Sequence, residues 1–495
     1  MARTQGRPRR RAEMAAVLAT QQRRRGAPPE ALVAGERLRD DRTVAILTGQ
    51  QAGLFGGPLF TLLKALTAIS LAERLSREQN VPAVAVFWID AEDHDWQEVG
   101  SCNVLDRDLR PRQIALPQPG GAGEIPVASI RLDESVRAAA IELATALPAT
   151  EFSPSLIESL SDSYRAGTGM AEAFGRWMER VLGRRGLIVY DSSDPAGKPL
   201  AGDIFRREIE TVGETTRLAA LAGAEMIARG YHAQVVPHDD SLALFQLDGG
   251  RRAIRREGDR FLVGDGALGT AELIRDATER PSTFSPNVLL RPIVQDTLFP
   301  TVCYVAGPNE LGYLGQLRAV YGHFDVPMPL IYPRASATLL DSAAVRFLQK
   351  YDLPFETLQA QDEAALNHVL ESHLPPAVDR AIQDALTAVN DRMEAVIAAV
   401  PALDPTLEGA ARSTLAKIQQ DFRTFQTKVI HAAKRRDETM RRQFFHARAQ
   451  AFPDGHPQER SIGFVYFLNK YGPALVDRLA EELPLDLGVH WVITI

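Results

Sequence analysis

Apolar residues recur along this chain with two different spacings. TVAILTG (43–49) is a short, apolar, β-rich run, and PLFTLLKALTAISLAERLSRE (58–78) places its apolar residues at helical spacing with Pro58 in the first turn. VPAVAVFWI (81–89) is almost continuously apolar, as a strand buried on both faces reads. Strand, helix and strand in succession predict a βαβ unit with a right-handed crossover and a parallel sheet.

The theme returns twice. GLIVYD (186–191) reads as a buried strand, and TVCYVAG (301–307), ELGYLGQLRAVYGHF (310–324) and PMPLIYP (327–333) again read strand, helix, strand. The fold class is therefore α/β, with a core interrupted by insertions. One, between about 100 and 180, is mixed and helix-leaning. The other, 232–264, alternates in short runs around a DGG turn between Leu247 and Arg251 and predicts a small antiparallel hairpin set.

From 375 to 446 the period changes again. Val378, Ile382, Leu386, Val389, Met393, Val396 and Val400 step by four and three, as do Ala411, Leu415, Ile418, Phe422, Phe425 and Val429. PALDP divides the two series, which predicts an antiparallel helical hairpin whose second arm is the longer. Its surplus apolar face needs cover, either from a second copy or from the chain's own core.

The domain order expected is an N-terminal helical arm (1–40), a first half-core (41–99), a first insertion (100–185) and a core strand with helices (186–230). A β-rich second insertion (231–280), a second half-core (281–340), a helical coiled-coil domain (341–450) and a segment returning to the core (451–495) follow.

With 495 residues, 45% hydrophobic and 24% charged, the chain is of the globular class and long enough for two or three structural units. A formal net charge of -7 argues against a phosphate backbone as main partner, so no nucleic acid is expected. The arginine-rich start, RPRRRAEMAAVLATQQRRRG, reads as a solvated surface helix because no aromatics interleave it. Two cysteines, Cys102 and Cys303, are too few for a disulfide framework and suit the cytoplasm. No apolar run reaches the roughly 18 residues that span a bilayer, so no membrane partner is expected.

Candidate chemistry gathers at strand ends, where doubly wound sheets bind ligands. Gly49, Gly53, Gly56 and Gly57, with Gln50 and Gln51, form the first strand-to-helix loop. Backbone N–H groups at the start of that helix would suit a phosphate or carboxylate, although the spacing is neither a dinucleotide fingerprint nor a P-loop. A tight structural turn is the alternative. Directly after the second strand, Glu92, Asp93, His94 and Asp95 offer a base near neutral pH among carboxylates that would raise its pKa. Asp95 capping a helix with Glu98 three residues on is the plainer reading. A lone histidine makes a zinc site improbable, and no metal ligand set is assigned. A third cluster, from 284 to 321, contributes Ser285, Asn287, Arg291, Asn309, Glu310 and Tyr313. Arg291, between apolar residues, either pairs with a core carboxylate or meets an anionic ligand, and the same choice applies to Arg334.

VAILTGQQAGLFGGPLFTLLKALTAISLA, AVFWIDAEDHDWQEV, FSPNVLLRPIVQDTLFPTVCYVAGPNELGYLGQL, VPMPLIYPRAS and FPDGHPQERSIGFVYFLNKYG together resemble the BshC family, the cysteine ligases of bacillithiol biosynthesis. The resemblance runs from about residue 30 to the end. It implies a Rossmann-like core with two connecting-peptide insertions and a coiled coil that joins a homodimer. It further implies an enzyme that adds L-cysteine to the amine of glucosaminyl-malate, with ATP or ADP, and Mg²⁺ with it, as possible companions. On this reading the Gly49–Gly57 loop cradles the activated carboxyl or phosphate, and His94, oriented by Asp93 or Asp95, takes the amine proton. Arg291 or Arg334 holds the malate carboxylates, and His446, Arg448 and Arg460 offer an alternative nucleotide site. Relatives in this family carry a longer segment before the TGQQ block. Asn309 stands where the family has glycine, and PDGHPQER departs from a motif nearer PNGGLQER. Two other readings are a ligase acting on another amine, adenylate-forming or acyl-transferring, and an inactive coiled-coil interaction protein.

Overall fold

The structure is a computed structural model that describes residues 1–237, 240–247, 249–264, 266–361, 366–367, 376–436 and 438–495. These form two compact units, Met1–Ala337 with Glu459–Trp491, and Thr338–Gln458 with Val492–Ile495.

At the centre of the first unit lie strands β1 (Val44–Gln51), β2 (Ala83–Asp90), β3 (Ile188–Asp191), β4 (Thr301–Ala306) and β5 (Leu330–Pro333). All are parallel, in the order β5-β4-β1-β2-β3. The chain moves from β1 outward through β2 and β3, then returns to the other side of β1. Strand order therefore reverses between β1 and β4, and the crevice beyond their carboxyl ends is the switch point of a Rossmann-like sheet. Helix α1 (Leu59–Gln79) makes the β1–β2 crossover and buries Leu62, Leu63, Leu66 and Ile69. The continuous apolar character of β1 and β2 matches their burial on both faces.

Four departures from expectation have physical causes. The N-terminal segment is packed, not solvated: the Arg11–Arg25 helix buries Met14, Ala15 and Leu18. Arg25 grips Glu179 at 2.7 and 3.0 Å and the Val189 carbonyl at 2.5 Å, while Arg11 reaches the carbonyls of Leu38, Asp40 and Thr43. A planar guanidinium held through several of its N–H groups tolerates burial that its charge alone would forbid. The helix expected over 310–324 is two, α2 (Pro308–Leu314) and Arg318–His323. Between them buried Gln316 turns its amide to Val235 and Ala219. The antiparallel sheet of the second insertion gains Phe284–Pro286 as an edge strand beside Ser241–Leu247, so it continues past residue 280. Asp248 of the DGG turn lies outside the described residues. The first insertion carries a hairpin, Ser101–Leu105 with Pro111–Ala115, and three helices; the last, Met170–Leu182, buries Phe174, Trp177 and Met178.

In the second unit α3 (Pro376–Ala399) and α4 (Leu407–Arg436) fold back on each other, and Gln419 donates to Asn390 at 3.0 Å. Ile382, Ile397 and Leu415 are buried, whereas Val396 is 45% and Phe425 54% exposed. The seam thus passes from Met393 to Ile397, the fourth departure, because a step of four holds the face of a 3.6-residue helix better than a step of three. Helix α5 (Glu438–Ala451) packs Met440, Phe444 and Ala447 with Phe347 and Leu348. Among the described residues, no helix is long and apolar enough to cross a membrane.

Candidate active site

Registry between β1 and β2 sets Gly49 opposite Trp88, Gln50 opposite Ile89 and Gln51 opposite Asp90. A β-carbon at Gly49 would stand 2.7 Å from the Trp88 carbonyl oxygen, so glycine here permits close strand approach. The loop that follows turns inward. Phe55, Gly56 and Gly57 have φ of 52°, 98° and 76°, and a β-carbon on Gly56 would lie 2.3 Å from the Phe464 ring and 2.8 Å from Trp177 Nε1. Tyr164 donates to the Gly53 carbonyl at 2.9 Å and accepts from the Gly56 N–H at 3.1 Å. The Leu59 N–H is taken by the Ile462 carbonyl at 2.8 Å. Part of the expected anion cradle is therefore occupied by the protein itself, while Gly53 and Gly57 open on a cavity.

A cavity of about 210 Å³ fills the switch point. Gln50 and Gln51 from β1, Asp90 from β2 and Lys64 from α1 meet Arg291, Glu310 and Tyr313 there. Lys64 is buried; its ammonium donates to the Gly49 carbonyl and, at 2.6 Å, to Glu310. Burial holds its pKa below the usual lysine range, against the pull of Glu310. Glu310 also accepts from the Gly307 N–H at 2.6 Å and the Tyr304 hydroxyl at 2.9 Å, which closes the first turn of α2. Arg291 pairs with Asp90 and lies 3.5 Å from the Tyr313 hydroxyl. Burial works to lower its pKa, but Asp90 and the phenols of Tyr313 and Tyr304 more than offset this and keep it firmly charged. Exposed Asn309 stands on the rim.

Arg334 reaches the same cavity but is engaged: its fork grips Glu459 at 2.6 and 2.9 Å. Arg460, next along the chain, is exposed, lines the cavity and has no ion pair among the described residues. A second cavity of about 300 Å³ shares Gln50, Gln51, Phe60, Glu98 and Arg460 with the first. Cys102 lines it as well; burial pushes this thiol up to about 12, which leaves it protonated.

The acidic motif separates. Glu92 is buried in an ion pair with Lys198, accepts from Ser285 at 3.1 Å, and lines neither cavity; burial raises its pKa. Asn287 accepts from the N–H groups of Leu289 and Leu290, a turn-making role. Asp95 caps the Trp96–Val99 helix through the Glu98 N–H at 3.1 Å, which agrees with the plainer reading of the sequence. Asp93 accepts from Gln51 at 3.0 Å and faces Arg251 at 3.3 Å and His94 at 3.2 Å. His94 is exposed and lies outside the cavity linings. Sequence reasoning passed over Asp90 and Glu98 as ligand-facing groups. Glu98 accepts from Gln50 at 3.1 Å, and desolvation with the neighbouring Asp95, Asp93 and Asp90 raises its pKa. Position at the end of β2 was the signal available for Asp90.

His446 and Arg448 belong to the helical unit. His446 lies 2.9 Å from Asp341, and Arg448 stacks on Phe444 and Phe445. Arg460 belongs to the Rossmann-like unit, so the three residues suggested for a nucleotide divide between the two.

A Rossmann-like unit whose switch-point cavity presents arginine, lysine and paired carboxylates has the form of a site for a small polar molecule. Comparison with known proteins narrows this. A family model described as Bacillithiol biosynthesis BshC, N-terminal Rossmann-like domain, matches residues 1–335, and one described as Bacillithiol biosynthesis BshC, C-terminal coiled-coil domain, matches 337–495. The chain belongs to the BshC family. Relatives named "Putative cysteine ligase BshC" include those of Salinibacter ruber, 35% identical over 92% of this chain and 84% of its own length, and Koribacter versatilis, 34% identical over 95% and 87%. That of Symbiobacterium thermophilum is 34% identical over 97% and 88%.

Proposed function

We propose that this protein is a ligase that joins the carboxyl group of L-cysteine to the amine of glucosaminyl-malate, the amide-forming step that yields bacillithiol. The names of its relatives support the reaction class. The observation that carries the reading in this chain is the pair of adjoining cavities with a common wall, since an amide ligase must bring two molecules edge to edge. Arg291 receives a malate carboxylate, as a guanidinium fork suits it. Lys64, fixed by Glu310, presents positive charge to the reacting carbonyl.

Amide formation from a free carboxylate in water is uphill, so ATP, brought with Mg²⁺, is assigned as co-substrate. Gly56 and the Leu59 N–H are occupied by the fold, which makes the glycine loop a poor triphosphate cradle. Two copies associate through the helical hairpin, whose exposed Val396 and Phe425 need cover. A reducing cytoplasm suits both the free thiols of Cys102 and Cys303 and the thiol substrate.

The test is a mass-spectrometric assay of purified protein with L-cysteine, glucosaminyl-malate and ATP·Mg²⁺. Product bearing the added cysteinyl mass, with nucleotide cleaved in proportion, is expected. Folded protein that yields no product, or couples cysteine only to a different amine, would overturn the assignment.

A further inference from the structure

The second cavity holds polar atoms that the fold leaves unused. Thr61, fully buried in the first turn of α1, lines it, and its Oγ1 has no hydrogen-bond partner. A β-carbon at Gly57 would stand 3.4 Å from that hydroxyl, so the glycine places no side chain against it. Gln51 spends its Nε2 on Asp93, which fixes the amide and leaves its buried Oε1 without a donor. Glu98 accepts from Gln50 through one carboxylate oxygen only, and has no ion-pair partner among the described residues. Arg460, equally without an ion pair among them, stands on the wall common to both cavities.

Buried oxygens without donors are costly, and a native site that tolerates them is one in which a ligand completes the bonding. The unused set has a definite sense. Gln51 Oε1 and Glu98 accept only, Thr61 can do either, and one charged donor, Arg460, lies at the far wall. An ammonium carries three N–H donors and no acceptor, and a carboxylate the reverse. Both groups on one small carbon skeleton match the set.

We propose that the second cavity is the subsite for the L-α-amino acid, its ammonium held by Glu98, Gln51 Oε1 and the Thr61 hydroxyl and its carboxyl directed by Arg460 toward the first cavity. The identification of that amino acid as cysteine rests on the ligase reading; the subsite itself requires only an α-ammonium and an α-carboxylate.

Calorimetric titration of the full-length protein tests this, with L-cysteine, 3-mercaptopropionate, which lacks the ammonium, and glucosaminyl-malate as separate probes. Thr61→Val preserves side-chain shape and lies outside the first cavity's lining. The wild type is expected to bind L-cysteine at least about 10-fold more tightly than 3-mercaptopropionate. Thr61→Val should weaken L-cysteine about 10-fold and leave glucosaminyl-malate within about twofold, and Glu98→Gln should weaken L-cysteine by about 30-fold. A thermal melt of each variant confirms that it is folded. The proposal is overturned if L-cysteine does not bind, if 3-mercaptopropionate binds as well as L-cysteine, or if Thr61→Val weakens only glucosaminyl-malate. Product in the ligase assay alongside any of these results would leave the ligase standing without this subsite. Ammonium-dependent binding without product would leave the subsite standing and remove the ligase.

Discussion

Arg291 illustrates how one side chain serves two demands. Burial would make its charge expensive, and Asp90 on the end of β2 neutralises that cost while the rest of the fork faces the cavity. Lysine keeps the charge but not the fork. Arg291→Lys is therefore expected to lower kcat/KM for glucosaminyl-malate about 100-fold, a loss of about 2–3 kcal/mol, with little change in the KM for cysteine; equal effects on both substrates in steady-state kinetics would contradict the assigned role. Glu208 makes a different prediction. Burial pushes its carboxyl from 4.5 up to about 7, against hydrogen bonds from Thr215 and the Ala243 N–H. Between these values the unfolded chain has released the proton and the folded chain has not, so stability falls as pH rises through the window. Above pH 7 the loss is complete, about 3 kcal/mol. Glu208→Gln should flatten the decline in melting temperature between pH 5 and pH 8, and an unchanged decline would mean that another group causes it.

At the scale of elements, Arg25 and Glu179 join the N-terminal helix to the Met170–Leu182 helix through a pair with almost no exposure. Glu179→Ala leaves the guanidinium buried and uncompensated, and urea unfolding should report a loss of about 3–5 kcal/mol, much of it restored by the double variant Arg25→Met, Glu179→Leu. The sequence concealed this pair because its partners lie far apart in the chain. The inner core strands were legible, since a strand buried on both faces announces itself locally; β5, a partly exposed edge strand, was legible as the close of the second strand, helix, strand run. The βαβ order alone places Gln50, Gln51, Arg291, Glu310 and Tyr313 near strand ends, and the cavity does collect them. Glu92, Ser285 and Asn287 sit in the same motifs yet serve the interior, and only tertiary partners such as Lys198 distinguish them. Gly56 read as a ligand loop for the same reason: Trp177 and Phe464, which require it to be glycine, are contributed by remote segments.

For the whole molecule, the helical hairpin exposes Phe425 on a face that its own partner helix does not cover. If that face is the dimer seam, Phe425→Glu should shift the protein from dimer to monomer in gel filtration coupled to light scattering, with the first unit's melting unchanged; a monomeric wild type would remove the seam.

The return of Glu459–Trp491 to the first unit has a consequence for how the protein is made. Arg460 lines both cavities and Phe464 packs against the Gly56 loop, yet each is translated after Thr338–Gln458, the main segment of the helical unit. At about 5–20 residues per second, β1 and its loop leave the ribosome well before the residues that complete them. A nascent chain therefore holds a half-built pocket, and the two cavities are completed only as synthesis ends. Chains that stall within the coiled coil would carry most of the protein's mass, none of its chemistry, and an exposed surface that chaperones and proteases recognise.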